Sequence, residues 1–272
     1  RQDRLGEVGA FIKARKTICQ NTSSLPQIAV LHSEHHLYSH VRGNNLLTSA
    51  DTRPVGGAVY ALLEKSYGVD ILDEWALLPR LDEFPLVVVP EQDGMSDAML
   101  QALKTYTENG GRLLVSGSPI AERFGEEFLG FATDKVVTDK AYAVPASDGS
   151  VELYSSEWRL GRATTAESYG QIGEGCLLED RLLSHPAAVF NRVGKGMVGY
   201  VPANLFRFLR RNPYPMMHQF LGDLVEKLMP TPEIRVTAPA CVDTVLRQRG
   251  DTAFVHAINM ANGGPSGEIP PV

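Results

Sequence analysis

The chain has 272 residues, 43% of them hydrophobic, which is enough for one large core or for a medium core beside a small one. Its 26 Lys and Arg against 32 Asp and Glu give a net charge of −6, so no basic surface attracts nucleic acid or an anionic membrane. The longest apolar run, around residues 86–89, is far shorter than the roughly 20 residues of a membrane span. We therefore expect a soluble globular protein with neither a nucleic-acid nor a membrane partner.

The three cysteines, Cys19, Cys176 and Cys241, are far apart and form no CxxC arrangement. This spacing predicts neither a zinc knuckle nor a disulfide framework. Because their number is odd, the compartment stays open between cytoplasm and periplasm. The first residues include neither an initiator Met nor the apolar stretch of a signal peptide, so we expect the natural polypeptide to begin upstream of Arg1.

The first part of the chain predicts a leading helix followed by the first units of an α/β domain. Apolar residues at largely helical spacing indicate an amphipathic helix over residues 5–20. They are Leu5, Val8, Phe11, Ile12 and Ile18. The run QIAVL at 27–31 is typical of a strand buried on both faces of a sheet. Residues 55–67 predict a helix closed by Gly68, and residues 69–72 predict a short second strand.

The middle of the chain continues this alternation. The clearest strand is the run LVVV at 86–89, which a proline precedes and another follows. Ser96 is suited to cap the next helix, and the Asn-Gly-Gly sequence at 109–111 ends it. The run RLLVS at 112–116 predicts a further strand. Strands and helices at such short spacing imply right-handed crossovers and a doubly wound, mostly parallel sheet.

A looser pattern follows at residues 124–184, with short alternating pieces typical of antiparallel strands or of an insertion. The runs at 187–192 and 197–201 predict a hairpin, which we expect to close one edge of the sheet. Residues 215–229 are apolar on one broad face and predict a last, core-facing helix.

The Pro-Thr-Pro sequence at 230–232 predicts a stiff domain boundary, since two prolines restrict themselves and the residues before them. After it, the alternating segments 234–237, 244–248 and 252–259 predict strands of a β-domain. Three strands are too few for a sandwich, so we expect the chain to end inside that domain. The predicted units are a helix and linker at 1–24, an α/β domain at 25–230 and the start of a β-sandwich at 231–272.

Together with the leading helix, three stretches carry a resemblance to a known family. They are QIAVLHSE at 27–34, FPLVVVPEQDGMSDAMLQALKTYTENGGRLLVSGS at 84–118 and FNRVGKGMVGYVPANLF at 190–206. In this order they resemble the domain that follows the catalytic (β/α)8 barrel in multi-domain glycoside hydrolases, the β-galactosidase trimerisation type. The resemblance implies a flavodoxin-like, class I glutamine amidotransferase-like fold over the first 230 residues or so. The tail at 236–259 is similar to the start of the β-sandwich that closes such enzymes.

The positions at which such a fold performs chemistry lack the necessary residues. An active amidotransferase uses a cysteine on a tight strand-to-helix elbow, a histidine that deprotonates it and a carboxylate that orients the histidine. The elbow after the strand at 112–116 is Ser-Gly-Ser-Pro at 116–119, without a cysteine. Where active members have His-Pro-Glu, this chain has Val-Pro-Ala at 201–203, which cannot move a proton. We therefore expect no catalytic residue, no cofactor and no metal in this chain.

The histidines after the first strand are the candidate metal ligands. His32, His35, His36 and His40, with Glu34, lie in a polar loop at the place where open α/β sheets bind ligands. A metal site requires ligands that converge on one point, which a flexible loop does not guarantee. We therefore expect an exposed, interface-forming loop and no metal site.

Other chemically suggestive residues have simpler interpretations. Cys19, Cys176 and Cys241 are expected to be buried as small apolar residues and not to act as nucleophiles. Trp75 and Trp158 are candidates for stacking on sugar rings. The carboxylates near strand ends suggest a glycosidase pair, but solvated loop charges are the better interpretation. These are Asp73, Glu74, Glu91 and Asp93. Three basic residues lie close together in the sequence and suggest a contact with an anion, although a solvated surface is the simpler interpretation. They are Arg207, Arg210 and Arg211.

These observations predict a non-catalytic structural and oligomerisation domain of a glycoside hydrolase of β-galactosidase or fucosidase type. Its expected partners are the preceding catalytic barrel and further copies of the protein in a dimer or trimer. Candidate contact residues are Leu37, Tyr38, Phe206, Phe208, Tyr214 and Met216. Two alternatives stay open: a free-standing hydrolase or deglycase-like enzyme that uses Cys176 or Ser118, and a carbohydrate-binding accessory domain that uses one of the tryptophans.

Overall fold

The computed structural model describes residues 2–25, 27–41, 51–146, 149–175 and 181–260. Its helices are α1 (Gln2–Cys19), α2 (Glu34–His40), α3 (Arg53–Glu64), α4 (Glu74–Leu77), α5 (Asp97–Glu108), α6 (Ile120–Phe124), α7 (Glu126–Leu129), α8 (Leu205–Arg211) and α9 (Pro215–Leu228), with a 3₁₀ helix at Leu78–Glu83. Its strands are β1 (Ser23–Ser24), β2 (Ile28–Leu31), β3 (Val69–Leu72), β4 (Leu86–Pro90), β5 (Arg112–Ser116), β6 (Phe131–Ala146), β7 (Gly149–Ala163), β8 (Glu167–Gly173), β9 (Leu182–Val193), β10 (Gly196–Val201), β11 (Val242–Arg249) and β12 (Thr252–Asn259).

Five parallel strands form the centre of the main sheet, in the order β3-β2-β4-β5-β10. The sequence predicts the bounds of β3 and β5 correctly and those of β2 and β4 to within one residue. Every residue of β2 and β4 is buried. Continuous apolar runs of this kind are stable only in a sheet that is covered on both faces.

Helices cover both faces of this sheet, so the protein has two cores. Successive side chains of a strand point to opposite faces. Ile28 and Val30 therefore pack among residues of α3, α8 and α9, whereas Ala29 and Leu31 pack among residues of α5 and α6. The predicted α/β class is confirmed.

The sheet continues beyond β10 with antiparallel strands in the order β9-β8-β6-β7, which makes nine strands within the described part of the chain. The predicted hairpin is present as β9 and β10, but the prediction that it closes an edge is wrong. β10 lies between β5 and β9, and β9 pairs in turn with β8. The looser stretch before it folds as β6, β7 and β8 and supplies three further strands outside the hairpin.

Serine caps fix the starts of α2 and α5 beside the carboxyl ends of the parallel strands. The Ser33 hydroxyl accepts the N–H of His36 at 3.0 Å, and the Ser96 hydroxyl accepts the N–H of Met99 at 3.1 Å, as predicted for Ser96. Both hydroxyls also donate to the buried carboxylate of Glu74, the first residue of α4. One carboxylate thus ties together the starts of three helices.

The two strands after the Pro-Thr-Pro sequence, β11 and β12, form a separate sheet with β1, in the order β1-β11-β12. The segment that the sequence analysis treats as a linker thus contributes a strand to the C-terminal sheet. The prediction of a strand at 234–237 is wrong. The carbonyl of Ile234 there accepts a hydrogen bond at 2.6 Å from the side chain of Gln27, in place of a strand partner. The boundary at 230–232 stays a prediction.

The leading helix α1 is present, but the predicted amphipathic character is wrong, because its apolar and charged residues are not segregated onto separate faces. Its apolar residues are exposed; Leu5 is 72% and Ile12 64% exposed. Its C-terminal end is held by Arg249, whose guanidinium donates to the carbonyl of Thr17 at 2.8 Å. Among the helices described here, none combines the length and apolar character needed to cross a membrane.

Candidate functional site

A cavity of ≈ 580 Å³ lies at the carboxyl ends of the central strands. Its lining comes from the segments that follow β2, β4, β5 and β10 and from the start of α3. β2 and β4 are the neighbours at which the order of strands along the chain reverses. Open α/β sheets bind ligands outside the carboxyl ends of their strands at such a point. The cavity is therefore the candidate functional site.

Glu91 follows β4 directly and has a left-handed backbone conformation, with φ 57°. Its carboxylate accepts hydrogen bonds from the N–H groups of Phe206 at 2.8 Å and Arg207 at 3.2 Å, at the start of α8, and from the Ser116 hydroxyl at 3.2 Å. The residue is 8% exposed. Burial raises the pKa of Glu91 to about 7, although these hydrogen bonds and the charge of Arg207 act in the opposite direction. The carboxyl group therefore titrates near neutral pH.

Arg207 connects α8 to an ion pair at the start of α3. Its Nη1 lies 2.5 Å from Oδ2 of Asp51, and Arg53 donates two 2.7 Å hydrogen bonds to the same carboxylate. Burial alone raises the pKa of Asp51, but the hydrogen bonds from Arg53 and the charge of Arg207 outweigh burial, so the net shift is downward. The Nε of Arg207 is 4.0 Å from Glu91. Two carboxylates and two guanidinium groups thus form one network along the cavity.

The predicted histidine loop is a helix, α2, and it divides the four histidines. His36 and His40 lie one turn apart and face the cavity, whereas His35 is exposed. His32 precedes the helix; burial, followed by the charge of His36, lowers its pKa. Asp93 is their partner, with its carboxylate 3.1 Å from Nδ1 of His36, and the sequence did not indicate this pairing. The expectation of an exposed loop is therefore wrong for His36, which is 8% exposed.

No protein-family model and no curated protein matches the chain. Solved structures do match it. A GH42 β-galactosidase from G. stearothermophilus is similar with a TM-score of 0.69 and 20% identity over 95% of this chain. A β-galactosidase from Bacillus circulans sp. alkalophilus has a TM-score of 0.67 and 14% identity over 93% of this chain. The α-L-fucosidase isoenzyme 2 from Paenibacillus thiaminolyticus has a TM-score of 0.67 and 19% identity over 88% of this chain. The chain spans 38% of the length of each of these proteins.

At these identities the likeness establishes a shared fold and no activity. The α/β fold of this chain recurs as one part of larger glycoside hydrolases. The predicted resemblance to such enzymes is confirmed at this level. The particular type of domain stays a prediction.

The carboxylates near strand ends are less exposed than the sequence analysis expects. Glu74 is 4% and Glu91 8% exposed, so the interpretation as solvated loop charges is wrong for both. Hydrogen bonds compensate for the burial of both carboxylates. Two serine hydroxyls donate to Glu74, and the N–H of Phe206 at the start of α8 donates to Glu91. Asp73 caps α4 by accepting the N–H of Ala76 at 2.8 Å.

The elbow at 116–119 is where an active member of the fold carries its nucleophile, and Ser118 there is the alternative candidate. Ser118 is fully buried, and its hydroxyl has no hydrogen-bond partner within the described ranges. The strained residue after a strand is instead Glu91. Val201 and Ala203 are buried in the core. A hydroxyl does approach an imidazole at Ser39, 2.9 Å from Nδ1 of His40, but Ser39 is exposed and outside the cavity lining.

The remaining candidates divide between surface and core. Cys19 is exposed and Cys241 half-buried, so burial as a small apolar residue is wrong for Cys19; Cys176 lies outside the described residues. Trp158 is fully buried and donates to the carbonyl of Lys140 at 3.1 Å, which excludes it from stacking on a sugar, whereas Trp75 is 81% exposed.

The basic group and the candidate contact residues also divide. Arg207 faces the cavity, Arg210 lies over the ring of Tyr60 with 5.0 Å to its centroid, and Arg211 is exposed. Phe206 is fully buried, so its assignment as a surface contact is wrong. Leu37 and Phe208 are half-buried; the exposed candidates are Tyr38, Tyr214 and Met216.

Asp51 and Arg53 are the charged residues of the cavity lining that the sequence does not single out. The signal for them is local: an Asp-x-Arg-Pro sequence in which the proline is suited to the first turn of a helix. An acidic and a basic residue next to such a start can pair with each other, as they do here.

Proposed function

We propose that this chain is a non-catalytic structural and oligomerisation domain of a glycoside hydrolase of β-galactosidase or fucosidase type. The observation that carries the proposal is the coverage of the structural matches. Each match covers nearly the whole of this chain but only 38% of the larger protein. A unit that recurs at this size inside longer enzymes is suited to pack against their other parts.

The type of domain proposed is class I glutamine amidotransferase-like, as in β-galactosidase trimerisation domains. The order of its five parallel strands, β3-β2-β4-β5-β10, supports this. If only these strands are numbered along the chain, their order is 2-1-3-4-5, which is typical of doubly wound flavodoxin-like sheets. Helices on both faces of the sheet agree with that arrangement.

A non-catalytic role fits the residues around the cavity. A nucleophile requires a base within hydrogen-bond reach, and the buried Ser118 has no side-chain partner in the described part of the chain. Glu91 occupies the strained position after β4, where it supplies no cysteine thiol of the amidotransferase kind, and its carboxylate is held by the N–H groups at the start of α8. These groups stabilise the carboxyl end of the sheet.

The proposed partners are the preceding catalytic barrel and further copies of the protein. Large exposed apolar side chains are the candidate contacts, since such side chains in groups mark interfaces. The apolar side chains of α1 are candidates, with Leu5 72%, Phe11 57% and Ile12 64% exposed. Others are Tyr38, Trp75, Tyr214 and Met216.

Analytical ultracentrifugation and glycoside hydrolysis test the proposal on two proteins, the full-length parent polypeptide and this 272-residue chain. We expect the parent to sediment as a dimer or trimer and to hydrolyse aryl glycosides, and this chain to hydrolyse none. Ser118→Ala in the parent should leave kcat/KM unchanged. A strictly monomeric parent removes the oligomerisation role, and hydrolysis by this chain alone contradicts the non-catalytic role.

A carbohydrate-binding role is the second candidate, favoured by the 81% exposure of Trp75. Binding of this chain to a glycan array that is lost in Trp75→Ala would support it. The third candidate, a free-standing hydrolase, predicts fast alkylation of Cys176, because a working thiol nucleophile is activated.

A further inference from the structure

Two imidazoles and a carboxylate converge on one wall of the cavity. His36 and His40 project from the same face of α2, and Asp93 lies in the loop after β4. Oδ1 of Asp93 is 3.1 Å from Nδ1 of His36 and 3.8 Å from Nε2 of His40. One nitrogen or oxygen atom from each of the three residues lies within 4.8 Å of the other two.

The hydrogen bond of His40 determines which of its nitrogens is free to bind a cation. Its Nδ1 lies 2.9 Å from the carbonyl oxygen of His36, which can only accept. The Ser39 hydroxyl, 2.9 Å from the same Nδ1, itself donates to the His36 carbonyl and is therefore available as an acceptor. We assign the proton to Nδ1 on these contacts, which leaves an unprotonated Nε2 facing Asp93. Histidines that bind metals are oriented in the same way, by donating the other ring N–H to a carbonyl or carboxylate.

His36 has two competing partners at a single nitrogen. Its Nδ1 is close to the carboxylate of Asp93, which requires a donor, and lies 3.1 Å from the N–H of Gly94, which requires an acceptor. A proton on Nδ1 satisfies Asp93 alone and leaves Nε2 of His40 facing the carboxylate without a hydrogen. A metal ion in place of that proton would bind both nitrogens and the carboxylate together, and it would take the Nδ1 lone pair in preference to the Gly94 N–H.

The loop that contains Asp93 is held close to α2 by its own contacts. A Cβ atom at Gly94 would lie 2.5 Å from the Ser39 hydroxyl and 2.9 Å from the Cα of His36, so only glycine permits this approach. The guanidinium of Arg123 donates to the carbonyls of Asp93 at 3.2 Å and Met95 at 2.8 Å. The three candidate ligands are therefore positioned without a bound ion.

We propose that His36, His40 and Asp93 bind a divalent transition-metal ion of the zinc type, with one coordination position open to the cavity. Two imidazole nitrogens and one carboxylate oxygen form a ligand set that zinc prefers. Tetrahedral zinc holds its ligand atoms about 3.3 Å apart, close to the 3.1 and 3.8 Å observed here. Because all three residues line the cavity, a water molecule or an anionic ligand has access to the fourth position.

Isothermal titration of the purified, chelator-treated chain with ZnCl₂ tests the site directly. We expect one zinc ion per chain with micromolar or tighter affinity, and at least a tenfold loss of affinity in His40→Ala and in Asp93→Asn. His35→Ala is the matched control, because His35 is exposed on the same helix and outside the cluster. MgCl₂ should not bind, since magnesium prefers oxygen ligands.

Thermal unfolding without metal separates loss of binding from loss of fold. The His40 side chain is 49% exposed, so His40→Ala should unfold at the temperature of the unsubstituted chain. Zinc affinity that is unchanged in His40→Ala, or that falls equally in His35→Ala, would overturn the assignment. The outcome does not depend on the proposed role in a glycoside hydrolase, because the readout is metal affinity.

Discussion

At the scale of single residues, Glu91 combines features that rarely occur together. It is a carboxylate in a left-handed conformation, buried, and hydrogen-bonded by two N–H groups at a helix start. Helix N-termini stabilise negative charge, whereas burial disfavours it. Burial prevails, and the pKa of about 7 leaves the group partly protonated at neutral pH.

Glu91→Gln should therefore change the pH dependence of stability. The folded protein binds a proton that the unfolded chain releases between pH 4.5 and about 7, so wild-type stability falls through this window as pH rises. The variant lacks this loss, so its stability relative to wild type should rise with pH, by about 3 kcal/mol at most. Denaturant unfolding at pH 5 and pH 8 with a chelator present measures the difference. The exposed Glu83→Gln is the control. The assignment would be contradicted if the stability of Glu91→Gln relative to wild type were the same at pH 5 and pH 8, or if it changed with pH only as much as that of Glu83→Gln.

The convergence of side chains at the cavity could be predicted only in part. The histidine segment and the carboxylates after β4 were visible in the sequence, but His36 and His40 share a face only once residues 34–40 are known to be helical. The burial of Glu91 depends on Phe206, 115 positions later, and no local pattern reports such a contact.

At the scale of elements, the approach of α3 to α8 depends on one glycine. A Cβ atom at Gly57 would lie 1.9 Å from the carbonyl oxygen of Phe206, whereas one at Gly56 would meet only the flexible side chain of Arg210 at 3.4 Å. α8 in turn presents the N–H groups that bind Glu91.

Gly57→Ala should lower the free energy of unfolding by about 2 kcal/mol or more, because backbone must move to relieve the overlap. Gly56→Ala is the matched control and should be neutral or stabilising by up to about 1 kcal/mol, since alanine favours helix. Urea unfolding measures both. Equal effects would mean that α8 is not held at this distance from α3.

The starts of α2, α4 and α5 depend together on Glu74. Glu74→Ala removes the acceptor of two serine hydroxyls and of the Ser96 N–H, and should destabilise the protein by about 2 to 4 kcal/mol. Glu83→Ala breaks an exposed ion pair with Arg80 and should cost about 1 kcal/mol or less. Thermal unfolding compares the two variants. A Glu74 effect as small as that of Glu83 would show that the caps do not need the carboxylate.

Elements with strong local signals were predicted well, and those without were not. β2 to β5 are short apolar runs or lie between clear turn signals, so their bounds follow from the sequence. β6 and β7 are 16 and 15 residues long, with many exposed residues, and their polar composition concealed them. These strands lie on the far side of β9, next to β8, so the predicted hairpin of β9 and β10 is inside the sheet and not at its edge.

At the scale of the whole molecule, the two sheets differ in how much they bury. All of β2 and β4 is buried, whereas β11 and β12 bury little beyond Thr244 and Leu246. Local stability follows such differences, because sparsely packed elements open at lower free energy.

Hydrogen exchange of the intact chain should therefore show two levels of protection. Amides of β11 and β12 should exchange at least tenfold faster than those of β2, β4 and β5, and mass spectrometry of peptic peptides resolves the regions. Similar protection in both sheets would argue against the predicted boundary at 230–232 and would favour a single cooperative unit.

The pairing of β1 with β11 has a consequence for synthesis on the ribosome. Arg247 hydrogen-bonds to Thr22, 225 positions earlier. At the usual pace of translation, β1 waits roughly 10 to 45 s for its partner strand to be made. During that interval the nascent α/β sheet can assemble while its neighbouring N-terminal segment stays unpaired and available to chaperones.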